Sequence, residues 1–288
     1  MEGVTTVAYR PDGKVFATGG WDNTIRIWSA EGKSLRSMKA GSRNVTAVAF
    51  SKDGQLLASS SGDGVLRVWD SGSTKLLRKI PGRTGYLSDV AFGKGDSVFA
   101  SGYDNRVKGW SASTGKRLCQ FDLASDGYAV AVSSDGTLVA GMGPGGVSVF
   151  DPVSKKRVAK WGITDELTIS CDYRPNSHEL AFVAGNEELM LMQSKSGEVK
   201  PWEFDLPKQP RAMKWNPAGD SIAVSAINGP IMLLTINGEQ RLSLDWHKDY
   251  VQALGFSPDS KILVSGDSSG YLAMWNADTG KFIRNVQK

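Results

Sequence analysis

The sequence predicts an all-β fold, a seven-bladed β-propeller of four-stranded antiparallel blades, and three observations carry that prediction. The first is a repeat. Seven apolar runs end at Trp28, Trp69, Trp110, Phe150, Met192, Leu234 and Trp275, at successive spacings of 41, 41, 40, 42, 42 and 41 residues. Self-similarity at a fixed period of this size marks solenoids and propellers. The second is periodicity: short apolar runs alternate with turn residues, and no segment shows the recurrence of an amphipathic helix. The third is glycine, 33 of the 288 residues. That exceeds the usual ~7% and provides for many tight turns.

Each unit reads in the same order. A first strand carries apolar positions such as Val45, Val48 and Phe50, or Val251, Leu254 and Phe256. A turn comes next at Pro11-Asp12-Gly13, Lys52-Asp53-Gly54, Ser134-Asp135-Gly136 and Pro258-Asp259-Ser260, where proline fixes φ and glycine accepts a positive φ. The second strand ends in small residues, as in Ala17-Thr18-Gly19-Gly20 or Ala58-Ser59-Ser60-Ser61. Another turn leads to the third strand, Thr24 to Trp28 in the first unit, and turns such as Thr114-Gly115-Lys116 and Thr279-Gly280-Lys281 lead to the fourth. The blades are expected at about 4–39, 45–80, 87–121, 127–161, 167–204, 210–244 and 250–288, together one domain over residues 1–288. One such sheet cannot bury both faces alone, whereas a ring buries each face against a neighbour. No residues ahead of Val4 are left to lend a strand to the last blade, so closure is expected from side-chain packing between the first and seventh blades.

The pair Trp69-Asp70, with its variants Trp28-Ser29, Trp110-Ser111, Phe150-Asp151 and Trp275-Asn276, makes the chain similar to the WD40 family from Val4 to about Val286. The resemblance implies that an Asp of the second turn, a His before the first strand, a Ser or Thr on the second strand and the Trp share buried hydrogen bonds. Asp22, Asp63 and Asp104 each stand six residues before their Trp and match the Asp. His247, after Trp246, matches the His, but Ser269 takes the Asp position in that unit. No blade is therefore expected to hold the complete set. Arg83 occupies the His position of the third unit and is expected to pair with Asp104. All of these read as structural, because a turn aspartate most often satisfies backbone donors. Units four to six are weaker, with Phe150, Met192 and Leu234 in place of Trp and Pro144, Asn186 and Asn228 in place of the turn Asp.

Charge and cysteine content bound the class. The 34 basic and 30 acidic residues give +4, short of the clustered basic face that nucleic-acid binding needs. Of the 34, 18 lie in fourth strands and the turns into them, densest at Lys155, Lys156, Arg157 and Lys160. Lysine on an outer edge keeps that edge from pairing with other molecules; the functional alternative is a basic rim meeting RNA or an acidic partner. Two cysteines, Cys119 and Cys171, make neither a disulfide framework nor a zinc site, which points to a reducing compartment. The expected location is cytoplasmic, with the nucleus left open. Met1 to Arg10 holds no apolar core of signal-peptide length. The uncharged stretch from Ser221 to Gly238 is broken by Asn228-Gly229-Pro230 and reads as two strands and a turn rather than a membrane span.

No motif supports catalysis. Gly141-Met142-Gly143-Pro144-Gly145-Gly146 fits G-x-G-x-x-G, but a dinucleotide site needs a helix N-terminus next. The next residues here, Val147 to Phe150, alternate as a strand. No Walker A sequence occurs, and the two histidines, His178 and His247, have no further His beside them to build a metal site. A serine triad could be assembled only by free choice among many serines. The innermost strands are mostly Val, Ala, Ser and Thr. No catalytic residue, cofactor or metal is assigned.

The resemblance implies a non-catalytic scaffold that binds peptide or protein partners, the ring being a monomer within a larger assembly and no membrane partner. The rivals are a sensor or regulatory propeller of a larger protein and an RNA-associated subunit using the basic rim. Inter-blade loops and second turns should emerge on one face, which in the family often receives peptides. The matching residues are Asn44, Tyr86 and Tyr250 before first strands, Trp21 and Tyr103 before the turn Asp, and Tyr128 and Arg211 just inside their strands. Aromatic and Arg residues bury much area with few rotatable bonds. Trp21, Tyr86, Tyr103 and Tyr250 are expected to form one exposed patch.

Overall fold

A computed structural model of the chain describes residues 2–82, 85–162, 170–185, 188–202, 209–227 and 230–286. Blade one sets the pattern, with strands Val4–Tyr9, Val15–Gly20, Thr24–Ser29 and Ser34–Lys39 paired antiparallel in sequence order. Six further four-stranded sheets repeat it. Their innermost strands are Val45–Phe50, Leu87–Phe92, Ala129–Val132, Cys171–Tyr173, Pro210–Trp215 and Val251–Phe256. Each innermost strand packs on the next, and Val251–Phe256 packs on Val4–Tyr9. The chain is thus an all-strand, seven-bladed β-propeller around a central channel.

The turns form for local reasons. Asp12, Asp53, Asp135 and Asp259 each accept the backbone N–H two residues on, at 3.0–3.1 Å, which closes the first turn without help from the rest of the fold. Gly13, Gly54 and Gly136 sit at φ 71° one residue later, and Ser260 takes φ 63° in the same place. A second local device recurs at the repeat's large residue. Pairing between third and fourth strands shifts at Trp28, Trp69, Trp110, Phe150, Leu234 and Trp275. Such bulges increase local twist, at the position where these six blades present the repeat's large apolar side chain.

Burial lies between blades, not within them. Trp69 packs in a cluster with Ala17, Ile25 and Ile27 of the preceding blade, Trp110 with Ala58, Leu66 and Val68, and Phe150 with Phe99, Val107 and Phe121. Met192, Leu234 and Trp275 do the same against blades four, five and six. Apolar Met and Leu keep this contact where Trp is lost, so the weaker units hold their place in the ring. Closure obeys the same rule: Val4, Phe16 and Trp28 of blade one pack against Val264, Leu272 and Met274 of blade seven. The fourth strands face water, as the exposed run Ser34–Arg36 and Ser37 shows.

Candidate functional site

The buried hydrogen-bond set is complete in blade seven. His247 Nδ1 lies 2.7 Å from Asp267 Oδ2, and His247 Nε2 lies 2.7 Å from Ser265 Oγ. The Trp275 indole N–H donates to the same Ser265 Oγ at 2.8 Å. The expectation that no blade holds the full set is therefore overturned. The carboxylate comes from Asp267 at the end of the second strand, two residues before Ser269. Ser269 instead donates to Asp249 at 2.7 Å. Blades one and two keep the shorter link, Trp28 to Thr18 at 2.9 Å and Trp69 to Ser59 at 3.0 Å.

In blades one to three the turn aspartate is held by a cation of the third strand. Asp22 takes both guanidinium nitrogens of Arg26, at 3.1 and 2.6 Å, and Asp63 those of Arg67, at 3.1 and 2.7 Å. Asp104 pairs with Lys108, whose Nζ also donates to the Gly82 carbonyl at 2.7 Å. Burial raises the Asp22 and Asp63 carboxyls, but the guanidinium partners and backbone donors outweigh it and hold both below the ordinary value. Arg83 lies outside the described residues, so its proposed pairing with Asp104 has no geometry here.

The glycine run also has a structural use. Gly143 pairs with Gly146 across a tight hairpin between the strands Val139–Gly143 and Gly146–Asp151. A Cβ on Gly143 would overlap the Asp126 carbonyl oxygen, and one on Gly146, at φ 109°, the Trp161 carbonyl oxygen. Close backbone approach, not a phosphate, requires these glycines.

Of the charged residues that line the channel, about 810 Å³, three lie on innermost strands, where apolar alternation does not single them out: Asp89, Asp172 and Lys214. Lys214 Nζ lies 2.8 Å from Asp172 Oδ1, and Asp172 Oδ2 accepts the Trp215 N–H at 3.0 Å. Asp89 accepts the N–H of Val90 at 2.8 Å and that of Val130 in the next blade at 2.9 Å. Thr6 and Ser170 accept the amides of Val48 and Met213 in the same way, each at 3.2 Å. The polar groups of the channel thus tie blade to blade. Burial, only partly opposed by the two amides, pushes the Asp89 carboxyl up to about 6. Among the described residues, no cluster of His, Cys, Asp and Glu could hold a metal ion.

Strands alternate in direction, so inter-blade loops and second turns share one face. On it Tyr86 and Tyr103 stack with centroids 4.7 Å apart, and Tyr128 tilts against Tyr103 at 5.7 Å. Asn44 Nδ2 donates to the Tyr86 hydroxyl at 3.1 Å and extends the row to blade two. Tyr103 is half-exposed, and burial together with Tyr86, Tyr128 and Asp126 raises its hydroxyl. The other expected members stand apart. Trp21 is exposed, with its ring over Gly3 of its own blade. Tyr250 is exposed beside Ser268, and Arg211 is exposed at the start of blade six. The structure brings together Asn44, Tyr86, Tyr103 and Tyr128, over blades two to four.

Comparison with known proteins finds WD40 repeats in the chain. A family model described as WD domain, G-beta repeat matches residues 2–29, 32–70 and 74–111. A second, described as the anaphase-promoting complex subunit 4 WD40 domain, matches residues 213–288. Human pre-mRNA-processing factor 17 is 25% identical over 231 residues, covering 72% of this chain and 38% of the factor. Protein HIR1 of Kluyveromyces lactis is 26% identical over 262 residues, 88% of this chain and 24% of HIR1. Mouse telomerase protein component 1 is 24% identical over 336 aligned positions, 96% of this chain and 13% of that protein. The chain spans 38% or less of the length of each.

Proposed function

Because the chain belongs to the WD40-repeat family, we propose that it is a non-catalytic scaffold whose loop face binds peptide or protein partners. The carrying observation is the row Asn44–Tyr86–Tyr103–Tyr128, in which Tyr86 and Tyr103 stack, Tyr128 tilts against Tyr103 and Asn44 is hydrogen-bonded to Tyr86 before any partner arrives. Anchors held in place lose little freedom on binding, which leaves more of the contact energy as affinity. Support for a non-catalytic reading comes from the channel, where Asp172 is engaged by Lys214 and a backbone amide and Asp89 by two amides. A cytoplasmic location, with the nucleus left open, belongs to the same proposal, and the free thiols Cys119 and Cys171 are compatible with either.

The test is affinity purification from the source cells with the wild type and with Tyr86→Ala/Tyr103→Ala, after equal melting has been established. A defined subset of partners should drop out with the variant. Retention of every partner at the wild-type level would remove this face as the main binding site. A second reading, a regulatory propeller inside a longer protein, is favoured by the greater length of the relatives; the reading frame around the chain decides it.

A further inference from the structure

A second cleft, about 680 Å³, opens between blades three and four on the opposite face, where the first and third turns lie. Its floor is apolar, with Phe99, Cys119 and Leu138 buried. Its rim is apolar too, and wet: Leu118, Val153 and Val158 are all exposed, Val153 to 87%. Val153 tips the turn Asp151–Ser154, which is fixed by three hydrogen bonds to the Asp151 carboxylate at 2.7–3.1 Å. A valine held outward by a rigid turn is an apolar group with no partner in its own chain.

Cations also outnumber acids around the cleft. Lys94 and Lys195 line it, and Lys155 stands beside Val153, near enough to the buried Cys119 thiol to act on it electrostatically. Arg157 and Lys160 pair with Phe150 and Ser148, so they share the blade face that Phe150 turns toward blade three. None of these five side chains ends in a described ion pair or hydrogen bond. The two acids of the lining offset two of these five cations, and hydrogen bonds hold both in place. Asp135 accepts from Ser133, Thr137 and His178, and Asp151 from its own turn. Lysines that only guard an outer edge would not need three exposed aliphatic residues among them.

We propose that this cleft docks a short acidic and apolar segment of a partner protein. Its aliphatic side chains cover Leu118, Val153 and Val158, and its carboxylates meet Lys94, Lys155, Lys195 and Arg157. Free cations around an apolar floor select such a segment over a neutral one and speed its approach. Single-stranded RNA is a poorer match, because its bases need exposed aromatic rings to stack on. The cleft's one aromatic residue, Phe99, is buried in the floor.

The test uses the full chain and a fluorescein-labelled synthetic peptide alternating glutamate with leucine, read by fluorescence anisotropy. The peptide should bind. Lys155→Glu/Arg157→Glu and, separately, Val153→Asp should each weaken binding by at least about tenfold. Replacing every glutamate of the probe by glutamine should do the same, while Tyr86→Ala/Tyr103→Ala should leave binding unchanged. Val153 and Lys155 are exposed, so equal melting is expected and checked. No binding, an effect below about twofold for both cleft variants, or tighter binding of an oligouridylate lost in the same variants would each overturn the proposal. Loss of partners in the tyrosine variant alone bears on the loop face and not on this cleft.

Discussion

His247 and Asp267 are joined at 2.7 Å across the top of blade seven, with the His247 side chain 4% exposed and that of Asp267 1% exposed. Donor counting orders the chain. The Trp275 indole can only donate, so Ser265 Oγ accepts from it and turns its own O–H to His247 Nε2. The Nδ1–H then donates to Asp267. One hydroxyl therefore holds the centre of a four-residue relay.

Ser265→Ala should leave both the Trp275 indole N–H and His247 Nε2 without a partner, each buried group costing about 1–3 kcal/mol. Ser265→Thr should recover most of the loss, since Thr18 serves Trp28 in blade one with the same geometry. Urea unfolding of the two variants decides it. An alanine cost below about 0.5 kcal/mol would mean that the relay is not stabilising.

Trp69→Ala should cost roughly 3–5 kcal/mol, as truncation of a large buried aromatic does. Trp69 is 5% exposed in the contact with blade one and donates to Ser59. A loss under about 1 kcal/mol by urea unfolding would be inconsistent with a packed site.

The fold was legible because its two determinants are local. The period fixes where each bulky residue falls, and Asp12, Asp53, Asp135 and Asp259 close their turns with their own side chains. The buried sets were less legible because side-chain reach is not spacing. Asp267 stands eight residues before Trp275, not six, and the backbone of the turn brings it to His247 all the same. Arg26, Arg67 and Lys108 did leave a signal, a cation four residues after the turn Asp and two before the Trp in three successive blades. Asp89, Asp172 and Lys214 left one too, as charges on the innermost strands, which are mostly apolar or small elsewhere. The tyrosine row was legible by position and its membership was not, because ring contacts depend on the curvature that sets neighbouring blades side by side.

Asp89 gives a pH dependence with a definite sign. Its carboxyl ordinarily titrates at 3.8 and in the fold at about 6, so the folded protein keeps that proton to higher pH. The stabilisation from holding it is complete below about pH 4 and is lost as pH rises through about 6. Asp89→Asn keeps a carbonyl oxygen for the Val130 amide and removes the ionisation. The variant should therefore gain on the wild type between pH 4 and pH 7, by about 1–3 kcal/mol in all. Urea midpoints across that range check it, and a difference that is flat or falls with pH would show that the carboxylate is not disfavoured in the channel.

The last prediction concerns cooperativity. A fragment of residues 1–122 contains three complete four-stranded sheets, yet it should not fold alone. Cutting there strips Phe99, Val107 and Phe121 of Val130, Val139 and Phe150, and at the other end strips Val4, Phe16 and Trp28 of Val264, Leu272 and Met274. Three blades thus keep two inter-blade cores and expose two, each lined by residues almost wholly buried in the ring. Their turns would still close, but turn hydrogen bonds are worth only about 0.5–1.5 kcal/mol each, too little to order sheets whose faces are wet. Stability in such arrays is a sum of unit and interface contributions, and a closed ring has as many interfaces as blades while an open piece has one fewer. Amide spectra of the purified fragment should therefore show the narrow dispersion of a disordered chain. A soluble fragment with native-like dispersion would mean that an open array of three blades is stable without the closed ring.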